Sequence, residues 1–137
     1  MSTEKPLPVI DHDSAPYWQA AHEGRLDIPL CGDCGKHHFY PRAICPYCHS
    51  DNLRFNTVSG RGRVHTFTTA RRPAGPAFAD DVPYVVALIE LEEGPRMLSD
   101  LRDCPPEDAA IEMPVEVFFE DVPGSLSIPH FRPAKAS

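Results

Sequence analysis

The chain has 137 residues and no apolar run approaching the ~20 residues that a membrane-spanning helix needs. Nothing at its N-terminus resembles a secretory leader or a transit peptide, so the expectation is a cytoplasmic protein with no membrane association. A basic surplus is also missing. Thirteen Lys and Arg face twenty Asp and Glu, for a formal net charge of −7. A general nucleic-acid binder needs cations to neutralise phosphates, and this balance argues against that class. There is no internal repeat and no low-complexity tract. The sixteen prolines are spread along the chain and read as turn formers and strand boundaries. A catalytic constellation is absent too. Asp11, His12, Asp13, His22, His65, Asp80 and Asp81 offer acid–base groups, but no spacing joins them. Ser59-Gly60-Arg61-Gly62 lacks the strand–elbow–helix context of a serine nucleophile.

What the chain does have is sulfur in a pattern. Cys31 and Cys34 form one Cys-x-x-Cys pair and Cys45 and Cys48 a second, with residues 35–44 between them. Two such knuckles can wrap one metal ion with four thiolates, because each presents two sulfurs from a tight turn. The turn residues fit, with Gly35 after the first pair and Pro46 inside the second. The expected cofactor is a structural zinc; iron remains open, since a four-thiolate site holds either metal. Two disulfides would need an oxidising compartment. A redox pair would need a βαβ context that the chain does not show. His37, His38 and His49 lie nearby and are expected outside the ligand set. Cys104, with no sequence partner, reads as a free or buried thiol. A four-thiolate zinc keeps no open position, so this motif holds structure and does not activate water.

Along the chain, residues 1–24 read as an extended arm followed by a short helix. Ser14 is a candidate cap, Pro16 sits early, and Gly24 suits a left-handed stop. Tyr17, Trp18 and Ala21 would share one face of that helix. Residues 25–56 hold the knuckles, and Phe39 and Tyr40 between them are expected to cover one side of the metal. Residues 57–137 read as strands: Arg63–Ala70, Pro83–Glu92, Arg96–Leu101, Pro114–Glu120 and Ser125–Arg132. The near-continuous apolar run in Pro83–Glu92 suggests burial on both faces. Glu93-Gly94-Pro95 suggests a hairpin, and Pro105–Ala110 has room for one helical turn. Five short strands suit a sandwich or a small closed barrel, and a barrel avoids exposed edges.

The ordered set of motifs resembles a known family over nearly the full length. It runs Pro16-Tyr17-Trp18, Gly24-Arg25-Leu26, Cys31-Gly32-Asp33-Cys34-Gly35, Phe39-Tyr40-Pro41-Arg42 and Cys45-Pro46-Tyr47-Cys48. Ser59 to Val64, Pro83-Tyr84, Met113 to Val117 and Phe131-Arg132-Pro133 complete it. This is similar to the zinc-ribbon plus OB-fold, acyl-CoA-associated proteins, formerly a domain of unknown function, that accompany thiolases and lipid-transfer-type thiolases. The resemblance implies a mainly β protein with a short N-terminal helix, a rubredoxin-like zinc ribbon and a C-terminal five-stranded OB-fold barrel. It implies a non-catalytic accessory subunit of a thiolase-fold enzyme, helping to house acyl-CoA jointly with that partner. Cys31, Cys34, Cys45 and Cys48 carry over as metal ligands, and no catalytic residue carries over. One departure is visible: the family usually has glycine just before Met113-Pro114-Val115, and this chain has Glu112. If that turn needs positive φ, Glu112 is strained there.

Two further sets of candidates follow. Arg61, Arg63, Arg71 and Arg72 form the densest basic cluster and are expected to contact the phosphates of acyl-CoA. Trp18 and Tyr40 belong to a large aromatic load for so small a module and are candidate partner anchors. The alternative function is a nucleic-acid-binding zinc-ribbon/OB module using the same arginines with Phe67, which the acidic balance disfavours.

Overall fold

In a computed structural model, residues 5–134 are described, so residues 1–4 of the expected arm and 135–137 at the other end lie outside them. The helix α1 spans Ala15–His22, with proline in its first turn and Gly24 beyond its end at φ +84°. Ser14 occupies the cap position but does not bond the first turn. Its ψ of −6° is helical, where a capping residue needs an extended ψ to aim its oxygen at the helix amides. Ser14 instead turns back: its amide donates to Asp11 Oδ1 at 2.8 Å, and its hydroxyl oxygen accepts from the Asp11 amide at 3.3 Å. The buried face of α1 is Tyr17, Ala20 and Ala21; Trp18 is only half-buried at its edge.

Strands β1 (Leu26–Cys31) and β2 (Leu53–Val58) form an antiparallel ribbon running from Leu26↔Val58 to Cys31↔Leu53. This register puts the knuckles at one end of the ribbon. Its other end carries Leu26, Ile28 and Val58 into a core shared with Tyr17.

The remaining strands are β3 (Arg61–Ala70), β4 (Tyr84–Leu91), β5 (Arg96–Leu101), β6 (Pro114–Val122) and β7 (Leu126–Pro133). They close into a barrel in the order β3-β4-β5-β7-β6. The expected five-stranded OB-type barrel is therefore present, and a 3₁₀ turn at Pro106–Asp108 lies between its third and fourth strands. β3 serves two neighbours, pairing with β6 through Arg61–Arg63 and with β4 from Gly62 to Ala70. A register shift between Val64 and Thr66 supplies the bend such a strand needs. Val64, Val85, Ala87, Ile89, Leu91, Met97, Leu101, Val115 and Phe131 fill the buried core.

β4 departs from the expected two-sided burial. Val85, Ala87, Ile89 and Leu91 are buried, while Tyr84, Val86, Leu88 and Glu90 are half-buried. A barrel wall has one inner face and one outer face, so the period of two reappears. Glu112 holds φ +72°, the left-handed geometry expected at this turn. Its amide donates to the Val64 carbonyl at 2.8 Å, which ties the turn to β3.

Candidate metal centre and aromatic groove

Cys31 ends β1, and the chain turns at once into the first knuckle. The Gly35 amide donates to the Cys31 carbonyl at 2.9 Å, and Gly35 takes φ +75°. The second knuckle repeats this: the His49 amide donates to the Cys45 carbonyl at 2.9 Å, with His49 at φ +65°. The knuckles are laced together by the Asp33 carboxylate, which accepts from the Ser50 hydroxyl and from Asn52 Nδ2 at 3.2 Å. Those bonds, the Ser50 one first, hold the Asp33 carboxyl below its ordinary pKa.

The four sulfurs lie within 4.8 Å of one another. Cys31 and Cys48 Sγ are 3.6 Å apart and Cys34 and Cys45 Sγ 3.7 Å apart. A tetrahedron with ~2.3 Å metal–sulfur bonds has edges of about 3.8 Å, so these spacings fit one ion, and they are far beyond the ~2.05 Å of a disulfide. Backbone amides point at the sulfurs. The Cys34 amide, the largest influence on Cys31, draws that thiol down to about 7. At Cys48 the Ser50 amide pulls downward, but burial and the other three sulfurs prevail and lift the thiol to about 12. Four crowded thiols cannot all ionise without a cation between them, and a bound divalent ion removes that conflict. The neighbouring histidines stay outside: His37 Nε2 donates to Asn56 Oδ1 at 2.9 Å, His38 is buried, and His49 is exposed.

Phe39 and Tyr40, expected to cover one side of the metal, make their ring contacts with α1. They pack on α1, with ring centroids 5.6 and 5.8 Å from Tyr17, and Tyr17 in turn meets Trp18 at 4.9 Å. The apolar demand of a short helix captures them. Burial raises the pKa of the Tyr17 hydroxyl beyond its ordinary range. This cluster forms one wall of an open groove of about 1150 Å³ between α1, the segment between the knuckles and strands β4, β5, β6 and β7. Trp18, Tyr40, Phe78, Tyr84, Leu98 and Ile128 line it. So does Cys104, a half-buried thiol whose pKa is raised by burial.

A charged set escaped the sequence reading. His130 of β7, only 5% exposed, directs Nδ1 to Asp100 Oδ1 at 2.6 Å and Nε2 to Glu120 Oε1 at 2.8 Å. Arg102 Nε donates to the other Asp100 oxygen at 2.5 Å. All four side chains line the groove. A second chain of bonds joins His22, Ser127 and Asp121. Ser127 Oγ donates to Asp121 Oδ1 at 2.6 Å and lies 3.3 Å from His22 Nδ1. This is not a hydrolytic triad: the serine proton goes to the carboxylate, and Ser127 is buried.

The four arginines do not converge. Arg61 pairs with Glu92 at 3.2 Å, and Arg63 with Glu90 at 3.5 Å and Glu112 at 3.2 Å. Hydrogen bonding to Arg61, more than that to Ser59, holds the Glu92 carboxyl below its ordinary pKa. Arg71 and Arg72 are exposed beyond the far end of the ten-residue β3, roughly 30 Å of extended strand away at ~3.3 Å per residue. That end pairs Ala70 with the groove-lining Tyr84. Among the described residues no helix is long and apolar enough to cross a membrane.

Comparison with known proteins supplies the wider context. Residues 18–54 match the family described as "ChsH2, rubredoxin-like zinc ribbon domain", and residues 56–120 match "ChsH2, C-terminal OB-fold domain". A "Probable enoyl-CoA hydratase alpha subunit" of Thermomonospora curvata is 37% identical over 130 residues, which is 95% of this chain but 40% of that protein. A "DUF35 domain-containing scaffold protein" of Methanothermobacter thermautotrophicus is 41% identical over 96 residues, 67% of this chain and 69% of that protein. Among solved structures, a chain of "Ltp2-ChsH2(DUF35) aldolase" superposes with a TM-score of 0.82 at 36% identity, covering 93% of this chain and 98% of that one.

Proposed function

The chain belongs to the ChsH2-type zinc-ribbon and OB-fold family, also called DUF35, and on that premise we propose that it is a non-catalytic accessory subunit of a thiolase-like acyl-CoA enzyme. It helps to assemble the complex and to house acyl-CoA jointly with the partner. The observation that carries this reading is the likeness, over 93% of this chain and 98% of the other, to a chain of "Ltp2-ChsH2(DUF35) aldolase". The scaffold name of an archaeal relative supports it further.

The chemistry of the chain agrees. Its four-thiolate centre, read as zinc, would keep no open coordination position. A closed site of this kind stabilises the ribbon and supplies no Lewis acid or activated water. Its thiolates suit a reducing cytoplasm. The aromatic wall with Trp18 and Tyr40 is the proposed docking face, since half-exposed aromatic side chains are the usual anchors of interfaces. Arg71 and Arg72, exposed just past Ala70, which pairs with the groove-lining Tyr84, are the proposed contacts for the phosphates of acyl-CoA. Arg61 and Arg63 are engaged by glutamates and contribute less. The same pairing breaks up the basic stripe that a nucleic-acid reading would require.

Affinity purification of the tagged chain from its native cells, followed by mass spectrometry, tests the proposal. A thiolase-fold protein should co-purify in a fixed ratio. A preparation free of any such protein, or dominated by nucleic-acid-processing proteins, would contradict it.

A further inference from the structure

The barrel is closed unevenly. β6 and β7 pair continuously from Val115↔Pro133 to Val122↔Leu126, and β3 and β4 pair from Gly62↔Leu91 to Ala70↔Tyr84 with one register shift. The parallel seam between β5 and β7 has one register pair, Leu101↔Phe131, together with a bond from the Arg102 amide to the Phe131 carbonyl at 2.7 Å. His130 precedes Phe131 at this seam, and Asp100 precedes Leu101. The imidazole reaches Asp100 on β5 with one nitrogen and Glu120 on β6 with the other. A single buried ring therefore joins three strands where the backbone ladder is shortest.

The proton count decides what that ring must be. Ionised carboxylates only accept hydrogen bonds, so both ring nitrogens must donate, and only the imidazolium has two N–H groups. A neutral ring would satisfy one carboxylate and turn a lone pair toward the other in a buried place. We propose that His130 is a proton-dependent clasp that holds the β5–β7 seam shut, and that loss of its proton loosens this seam and the groove wall it forms.

The surroundings of the ring support this. On β5, Asp100 is shared with Arg102, whose like positive charge disfavours the protonated ring. On β6, Glu120 faces the ring directly, while Asp121 is engaged by Ser127. The Phe118 ring stacks obliquely on His130 with centroids 5.5 Å apart. On β7, Arg132 lies over the Phe118 ring and 3.5 Å from Glu116. On α1, His22 meets Ser127 and does not bond His130. Asp81, from the loop before β4, acts on Arg102 and is itself paired with Lys5 at 2.6 Å. Burial pulls the His130 pKa down, but the bonds to Asp100 and Glu120 prevail and hold it above its ordinary 6.5. The sign follows. A raised histidine pKa gives stabilisation that is complete below about 6.5 and is lost as pH rises through the raised value.

The test uses the full metal-loaded chain, labelled with ¹⁵N. Followed through its imidazole nitrogens, His130 should titrate with a midpoint above the ordinary 6.5, with both nitrogens protonated below that midpoint; a midpoint at or below 6.5 would overturn the proposal. Hydrogen exchange reads the seam itself. After correction for intrinsic rates, protection of the Arg102 amide should fall at least about tenfold relative to the β3–β4 amides between roughly pH 6.5 and pH 9. An unchanged ratio would overturn the clasp. In His130→Gln this pH dependence should vanish, and its persistence would assign the effect to another group. If that variant does not fold, the two wild-type measurements decide alone.

Discussion

The indole Nε1 of Trp18 donates to the Tyr40 hydroxyl at 3.1 Å, joining α1 to the segment between the two knuckles. Both side chains also touch Tyr17, so the helix is fastened to the ribbon through an aromatic cluster. They stand together at the groove, although they are 22 residues apart in sequence. Trp18→Ala or Tyr40→Ala should weaken binding of the partner enzyme about tenfold or more, with the metal content of the chain unchanged. Titration calorimetry and elemental analysis of the same samples check both halves. Tyr40→Phe removes only one exposed hydrogen bond and should cost about 0.5–1 kcal/mol of stability.

Replacing any one of Cys31, Cys34, Cys45 or Cys48 by serine should release the metal and unfold the ribbon. The barrel should partly survive, because none of the four cysteines lies in β3–β7. Elemental analysis with amide NMR would show it: ribbon signals collapse while those of β3–β7 remain dispersed. Native protein without bound zinc or iron would contradict the metal reading.

The features legible in the sequence are those written locally. The cysteine pairs bring four sulfurs together because each pair sits on its own turn. The β4–β5 hairpin follows from apolar runs on either side of Glu93-Gly94-Pro95. Glu112 stands where the resembling family usually has glycine, and its φ of +72° is the left-handed geometry that would strain it. Long-range register was not legible. Asp100, Glu120 and His130 lie on three strands, and only barrel closure brings them into bonding distance. The same limit split the arginines, since a ten-residue strand separates what composition had grouped. Phe39 and Tyr40 were assigned to the metal site by proximity in sequence, while packing gave them to α1.

Glu112→Gly should raise stability by about 1 kcal/mol. Glycine tolerates φ +72°, where an L side chain is strained by roughly 1–2 kcal/mol, and the substitution sacrifices only the exposed ion pair with Arg63. Urea denaturation of the metal-loaded protein measures this. A loss of stability would mean that the Glu112 side chain contributes more than its exposed ion pair suggests.

Charge reversal of Arg71 and Arg72 to glutamate should raise the KM of the complex for acyl-CoA. It should change little for a substrate fragment without the nucleotide end. Equal effects on both substrates would assign these arginines to docking or folding. The same reversal at Arg61 should act chiefly on stability, because it removes the pairing with Glu92.

The central claim is that this chain assists catalysis without performing it. Steady-state turnover of acyl-CoA and enoyl-CoA substrates should be measured for the purified metal-loaded chain, for the proposed thiolase-like partner, and for the two together. The account predicts no turnover by the chain alone and full activity only in the complex. Sustained turnover by the chain alone, abolished by substitutions in its own groove, would contradict it.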